Sequence, residues 1–297
     1  MKYTVNDQNY GMNMMGCDDA EWRTRVDLAA AYRLCHRYGF SEGINNHLTA
    51  EVPGQKDRFL VFPFGMLWNE VTASSLLLVD IDGNVIKGEG QPEATAFWIH
   101  SRLHQLRPNT GAVFHTHQPE ITALACLEDF ELPMIHQNSL RFYKDVAYDT
   151  YDGLVLNKTE GDRLAKALGN KRILIHRNHG IMVCAETVHE AFDAMYYLEQ
   201  AARVTVKAMS TGRPLKIVPD AVAKQFKDTL RNSGAEVDYG RLLLEALKRD
   251  MLRGADKDFI TTSAILPAYT EYGIFRSDCE ETIGTTFDAV YLQSFIN

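Results

Sequence analysis

Three histidines are the residues of this chain best suited to chemistry. His115 and His117 stand one residue apart in Gly111-Ala-Val-Phe-His-Thr-His, and His179 sits in Arg177-Asn-His-Gly180. On a β-strand, side chains two apart leave the same face, so the first two imidazoles point together and Thr116 points away. A third imidazole from a separate turn fills a third corner of a tetrahedron and leaves the fourth open, as a catalytic zinc-type site requires. Taken alone, the pair could equally be two partly buried, hydrogen-bonded histidines. The third histidine, in its own glycine turn, moves the reading to a metal. Such a metal can act as a Lewis acid on a substrate carbonyl or lower the pKa of a bound water.

These side chains need a scaffold, and the hydrophobic pattern supplies one. Asp18-x-x-Glu21 forms a capping box ahead of Trp22, Val26, Ala29, Ala30 and Leu34 at helical spacing, ended by Gly39. The turn Gly43-Ile-Asn-Asn-His47 enters a strand, Arg58 to Phe62 forms a second, and Leu76 to Ile86 reads as a hairpin about Asp82-Gly83. Pro92 opens a helix running to Leu106, the histidine strand follows, and Pro119 opens a helix through Leu127. Strand and turn are expected at Ala147 to Gly153, then a helix from Thr159 to Leu168 and a strand at Ile173 to Ile175. The glycine turn with His179 leads into Ile181-Met-Val-Cys. Thr187-x-x-Glu190 opens a long helix with Val188, Ala191, Met195, Leu198, Ala202, Thr205 and Met209 on one face. Two further helices are expected around Val222 to Leu230 and Tyr239 to Leu252. Strands and helices alternate without a regular βαβ rhythm, which predicts a mixed sheet with helices on both faces. Residues 18–215 read as the principal domain, and 216–297 as a C-terminal helical extension and tail of it.

A His-x-His pair also occurs in cupins, but those are all-β and the helix after Thr187 does not fit one. A metallo-hydrolase of the β-lactamase kind would want an aspartate shortly after the pair, where Gln118-Pro119 stands. The chain instead resembles the class II aldolase/adducin family over roughly residues 20–215. The matching pieces are Gly43-Ile-Asn-Asn-His47-Leu-Thr, Val61-Phe-Pro-Phe-Gly65 through Val71-Thr-Ala-Ser-Ser, Ile99-His100 through Arg107-Pro108, His115-Thr-His117 and Ile175-His-Arg-Asn-His179-Gly180. The Pro-Phe-Gly and Val-Thr-Ala-Ser-Ser stretches lean to its adducin-like branch. The resemblance implies a three-layer α/β/α sandwich with a mixed, largely antiparallel sheet. It implies a divalent metal, zinc first and manganese, iron or cobalt as alternatives, on His115, His117 and His179. It also implies a homo-oligomer, a homotetramer being common, with active sites at subunit interfaces.

One departure from the family bears on mechanism. Family aldolases carry an acid/base glutamate four residues before the position of His100, where this chain has Ala96. Glu93 lies one turn earlier and would reach a bound water or substrate, or else serve as a first-turn glutamate favoured by the helix dipole. Of the small hydroxyl residues that hold phosphate in the sugar-phosphate enzymes, only Thr95 remains here. Asn45, Asn46, His47 and Gly65 are candidates, with Thr95, to line a small polar pocket. Without a positioned base, abstraction of a proton from carbon suffers most and decarboxylation least. The expectation is a metal-dependent carbon–carbon lyase that decarboxylates or aldol-cleaves a small oxo or hydroxy acid or sugar-derived carbonyl through an enolate. The alternative is a non-catalytic adducin-like interaction protein that keeps the metal-site fold.

The remaining histidines read as structural, His176 near a strand end and His100 and His104 in helix–sheet packing. Tyr269 and Tyr272 lack a motif that would make either a proton donor. The 297 residues are 45% hydrophobic and 24% charged with a formal net charge of -8, which argues against nucleic acid or an anionic membrane as partner. Five scattered cysteines without a CxxC pair suit reduced thiols, and the polar start lacks an apolar run, so a cytoplasmic protein acting on a small molecule is expected.

Overall fold

The fold of the chain, obtained as a computed structural model, is described for residues 10–13, 15–150, 158–234 and 237–260, without the side chains of 94–96 and 158. Helix α1, Asp19–Arg37, begins where Asp18 accepts a hydrogen bond from the Glu21 amide at 2.7 Å and ends before Gly39, whose φ of +74° only glycine adopts without strain. The strands are β1 His47–Val52, β2 Gln55–Val61, β3 Leu77–Asp80, β4 Val85–Lys87, β5 Ala112–Thr116, β6 Val146–Thr150, β7 Ile173–Arg177 and β8 Gly180–Ala185. They form one sheet in the order β4-β3-β2-β1-β5-β8-β7-β6. Every pairing is antiparallel except β6 with β7. The mixed, largely antiparallel sheet expected from the sequence is therefore present.

Helices lie on both faces, completing three layers. On one side α1 and α6, Val188–Met209, cover an apolar layer that includes Phe62, Phe114, Ile175 and Val183. On the other, α2, Ala94–Leu106, and α5, Lys158–Leu168, enclose a smaller core of Ile99, Leu103, Val113, Leu164, Leu174, Met182 and Cys184. Alternation along each strand assigns its residues to these faces. Because Val113 faces α2 and α5, so does His115. Because Leu48 belongs to the larger core, His47 and Thr49 turn to the α2 side. The antiparallel register sets His47 directly opposite His115 on the neighbouring strand.

Several boundaries differ from the sequence expectation. Helix α2 starts at Ala94, so Pro92 and Glu93 precede it and Glu93 supplies a carbonyl to the first turn through the Phe97 amide at 3.1 Å. Strand β5 stops at Thr116, leaving His117 just beyond it. Helix α3 is shorter than expected, Pro119–Ala125. Short helix α4, Gln137–Leu140, and a 3-10 turn at Lys257–Ile260 carry too few residues for periodicity to reveal. Met209, placed on the buried face of α6 by spacing, is exposed because it ends that helix. Helices α7, Asp220–Gly234, and α8, Tyr239–Arg253, pack on α4 and on α6 with α1 respectively. The expected turn at Asp152-Gly153, Cys279, Tyr269 and Tyr272 lie outside the described residues, and Thr95 does so in its side chain. The four cysteines among the described residues are free. No helix among them is long and apolar enough to cross a membrane.

Candidate metal centre

His115 at the end of β5, His117 in the following turn and His179 in the β7–β8 turn converge. One ligating nitrogen from each lies within 4.8 Å of the others. Their ring centroids are 4.8 to 5.0 Å apart. The turn needs its glycine for a spatial reason. A Cβ on Gly180 would stand 2.6 Å from His117 Cδ2 and from the Thr116 carbonyl oxygen, inside any tolerable contact. Asn178 makes the tight β7–β8 reversal with a φ of +57°, a conformation asparagine tolerates better than most residues.

The outer hydrogen bonds select the nitrogens that face one another. His115 Nδ1 donates to the Ile181 carbonyl at 2.9 Å, which leaves Nε2 as the lone-pair atom. His117 Nδ1 donates to Glu42 Oε2 at 2.5 Å, and its Nε2 is buried with no hydrogen-bond partner. His179 Nδ1 is 3.0 Å from His176 Nδ1, and His176 Nε2 is 3.4 Å from Asp149 Oδ2. Asp149 is in turn gripped by both terminal nitrogens of Arg163 at 2.7 Å. A carboxylate behind a ligating imidazole fixes its tautomer and raises its basicity. Burial, reinforced by the neighbouring imidazoles, holds His115 well below the ordinary histidine range and brings His179 down to about 3. Neutral imidazoles with lone pairs turned inward fit a divalent cation, and an orphaned buried nitrogen is what such an ion would satisfy.

The other residues expected at the pocket distribute unevenly. His47 belongs to it, its ring centroid 5.1 Å from that of His115. Glu93 approaches from before α2, its Oε2 3.9 Å from His47 Nε2, too far for a hydrogen bond. Asn46 is buried at a φ of +66° and its Oδ1 has no hydrogen-bond partner. Asn45 is exposed and serves the turn, its amide donating to the Glu42 carbonyl at 3.0 Å. Gly65 (φ +96°) lies in the turn after β2, where Phe64 N donates to the Gln91 carbonyl at 2.9 Å.

Four residues have partners that the sequence did not reveal. Glu42 sits in a turn 75 residues before His117, and no local pattern links them. His176, read as structural, contacts His179. His100 and His104, read as packing residues, join a buried polar chain. His47 Nδ1 is 2.8 Å from His100 Nε2, His100 Nδ1 is 2.7 Å from Thr49 Oγ1, and Thr49 Oγ1 is 2.9 Å from His104 Nε2. The i, i+4 spacing of the two α2 histidines was the available signal, and the alternation that aims Thr49 at them completes it.

The model of the Class II Aldolase and Adducin N-terminal domain matches residues 26–206. The chain belongs to this family. A relative in Caulobacter vibrioides, named "putative aldolase class 2 protein", is 38% identical over 211 residues, 70% of this chain and 82% of that one. The crystal structure of an aldolase II superfamily protein from Pseudomonas syringae superposes with a TM-score of 0.77 at 33% identity, covering 82% of this chain and 98% of the other. An L-fuculose 1-phosphate aldolase from Glaciozyma antarctica gives a TM-score of 0.71 at 26% identity over 84% and 97% of the two chains. The family's fold is the one described above.

Proposed function

We propose that this chain is a metal-dependent carbon–carbon lyase acting on a small oxo or hydroxy acid or a sugar-derived carbonyl compound. The observation that carries this reading is the convergence of three imidazoles whose outer nitrogens are committed to Ile181, Glu42 and His176. Zinc, or manganese, iron or cobalt, would supply there a Lewis acid that draws electrons from a substrate carbonyl. The chain's own residues supply the rest. Glu42 and the Ile181 carbonyl hold two rings in register, and Asn46 offers a bare amide oxygen to a polar hydrogen of the substrate. Kinship with an aldolase supports carbon–carbon cleavage. Alanine at 96, where family aldolases place a glutamate, hinders abstraction of a proton from carbon most and decarboxylation least, and both decarboxylation and aldol cleavage stay open.

We further take the working form to be a homo-oligomer. The rim of the site supports this, since the Glu42 side chain is 60% exposed beside His117 and available to a second subunit. Sedimentation velocity checks it, and a monomer at micromolar concentration counts against it. The packing of α7 and α8 on the preceding helices supports reading the described residues after 215, up to 260, as an extension of the same domain.

Metal analysis of the purified chain tests the site. About one zinc per chain is expected in the wild type and none in His115→Ala, and unchanged metal in that variant overturns the assignment. A zinc-loaded chain that cleaves no hydroxy-oxo acid or ketose in a broad panel would favour a non-catalytic, adducin-like role.

A further inference from the structure

His117 stands in a joint between two elements. Strand β5 ends at Thr116, which pairs with Ile181, and helix α3 begins at Pro119, so only His117 and Gln118 bridge them. Glu42, which accepts from the His117 ring, is an exposed side chain and fixes the ring rather than the backbone. What fixes the backbone must therefore act on the residues that follow.

The first turn of α3 is held from outside the helix. A helix start leaves amide donors without intrahelical partners. Gln118 at the N-cap makes no side-chain bond to that turn, and Pro119 has no N–H to place. The amides of Glu120 and Ile121 donate to Glu199 Oε1 and Oε2, both at 3.1 Å. The Thr122 amide then makes the first helical bond, to the Gln118 carbonyl at 2.9 Å. Every early donor is thereby accounted for, and two of them depend on one carboxylate of α6.

Glu199 is fully buried, with Arg203 Nε 3.8 Å from its Oε1. A carboxylate taken out of water is costly unless its oxygens are hydrogen-bonded, and here each of them is. One turn earlier on the same face of α6, the Met195 carbonyl accepts from Gln118 Nε2 at 3.2 Å, and Gln118 is itself fully buried. Two positions of α6 thus grip Gln118, Glu120 and Ile121. On its other side His117 has no slack, since Gly180 approaches its ring too closely for a Cβ to fit.

We propose that Glu199 is a positioning residue for the metal site. Through the first turn of α3, with the Met195–Gln118 bond beside it, it sets where the His117 backbone leaves the sheet and so where Nε2 points. The proposal rests on the metal reading of His115, His117 and His179. A constellation of ligands works only when held within about 0.5 Å of its geometry, and release of the α3 turn would let His117 swing on its joint.

The test uses the full chain as wild type, Glu199→Gln, Gln118→Met and Phe192→Ala, with zinc affinity read by chelator competition and stability by urea unfolding. Glu199→Gln keeps the side chain's volume but turns an NH2 group against a backbone N–H, and should weaken zinc about 10-fold. Gln118→Met, which gives up the bond to Met195, should weaken it by a smaller factor. Phe192→Ala, on the same helix, should lose stability and keep its affinity. In cobalt-loaded protein, the visible bands should change in Glu199→Gln and match wild type in Phe192→Ala. Wild-type affinity in Glu199→Gln overturns the proposal, as does equal weakening in Phe192→Ala, which would make the effect one of general stability. Should Glu199→Gln not fold, unchanged affinity in Gln118→Met overturns it instead. A wild type that takes up no zinc fails the metal reading. The positioning role is then decided on the metal-free chain by the carbon-13 shift of His117 Cδ2, which must move in Glu199→Gln and stay in Phe192→Ala.

Discussion

The same strands present opposite chemistry on the two faces of the sheet. On β5, Phe114 enters the layer beneath α1 and α6, while Val113 and His115 face α2 and α5. On β1, Leu48 joins the apolar layer, while His47 and Thr49 turn to the histidines of α2. One face is filled by Phe62, Phe114, Phe192 and Trp68, all nearly inaccessible. The other buries imidazoles, each needing a partner to offset its lost hydration. The difference teaches that stability and chemistry are carried by separate layers. The aromatic side chains of the apolar layer hold the strands in register, and the polar groups buried with them, such as Arg25, are hydrogen-bonded to the backbone. The histidine layer uses that register to aim lone pairs.

Substitutions can break this division. Phe192→Ala, on the α6 side, should cost about 3–5 kcal/mol in urea unfolding while leaving zinc content per folded chain unchanged. Loss of zinc from a chain still folded would show that the layers are not separable. Gly180→Ala should do the reverse, emptying the site at a cost of about 1–3 kcal/mol, because the new methyl collides with His117. Competition with a fluorescent chelator reads the metal, and retained zinc affinity would mean the turn shifts freely.

Smaller effects sharpen the contrast. Glu42→Gln removes the carboxylate behind His117 and should weaken zinc about 10–100-fold with little change in unfolding free energy. An unaltered dissociation constant would leave Glu42 as an ordinary rim residue. The metal-free chain should also lose stability in acid through its histidine face. Burial puts His104 near 4 and His47 near 3, against about 6.5 when unfolded. The unfolded chain therefore binds more protons below pH 6.5, and stability falls from there to about pH 4. Each such histidine contributes up to about 1.4 kcal/mol per pH unit. Urea titrations between pH 7 and 4 read this slope. A flat profile would mean that the imidazoles are already charged in the fold.

Much of this arrangement was legible in the sequence, and for definable reasons. Periodicity placed α1, α6 and the strands because their buried residues repeat at 3.6 or 2. The His-x-His pair and the Asn-His-Gly turn carried the triad because metal ligands leave local spacing signatures. Glu42 left none, since its partner is supplied by a different turn. His100 and His104 pack between helix and sheet as expected, but their hydrogen-bond partners went unread because i, i+4 spacing shows only that they share a face. What they face depends on the register of β1, which sets His47 and Thr49 beneath them. Glu93 was expected in the first turn of its helix and stands before it, since the backbone enters α2 two residues later than Pro92 suggested.

The link from His179 through His176 to Asp149 reaches β6, the edge strand of the sheet and the one joined by parallel pairing. An edge strand is where local opening costs least. His179 is thereby moored to the margin most prone to fraying, so occupancy of the proposed metal site and edge cohesion would be thermodynamically linked. An ion that favours the closed margin must lower its rate of amide exchange, and a loosened margin must release the ion more readily. The border of the sheet is in this sense a gauge of what its centre holds.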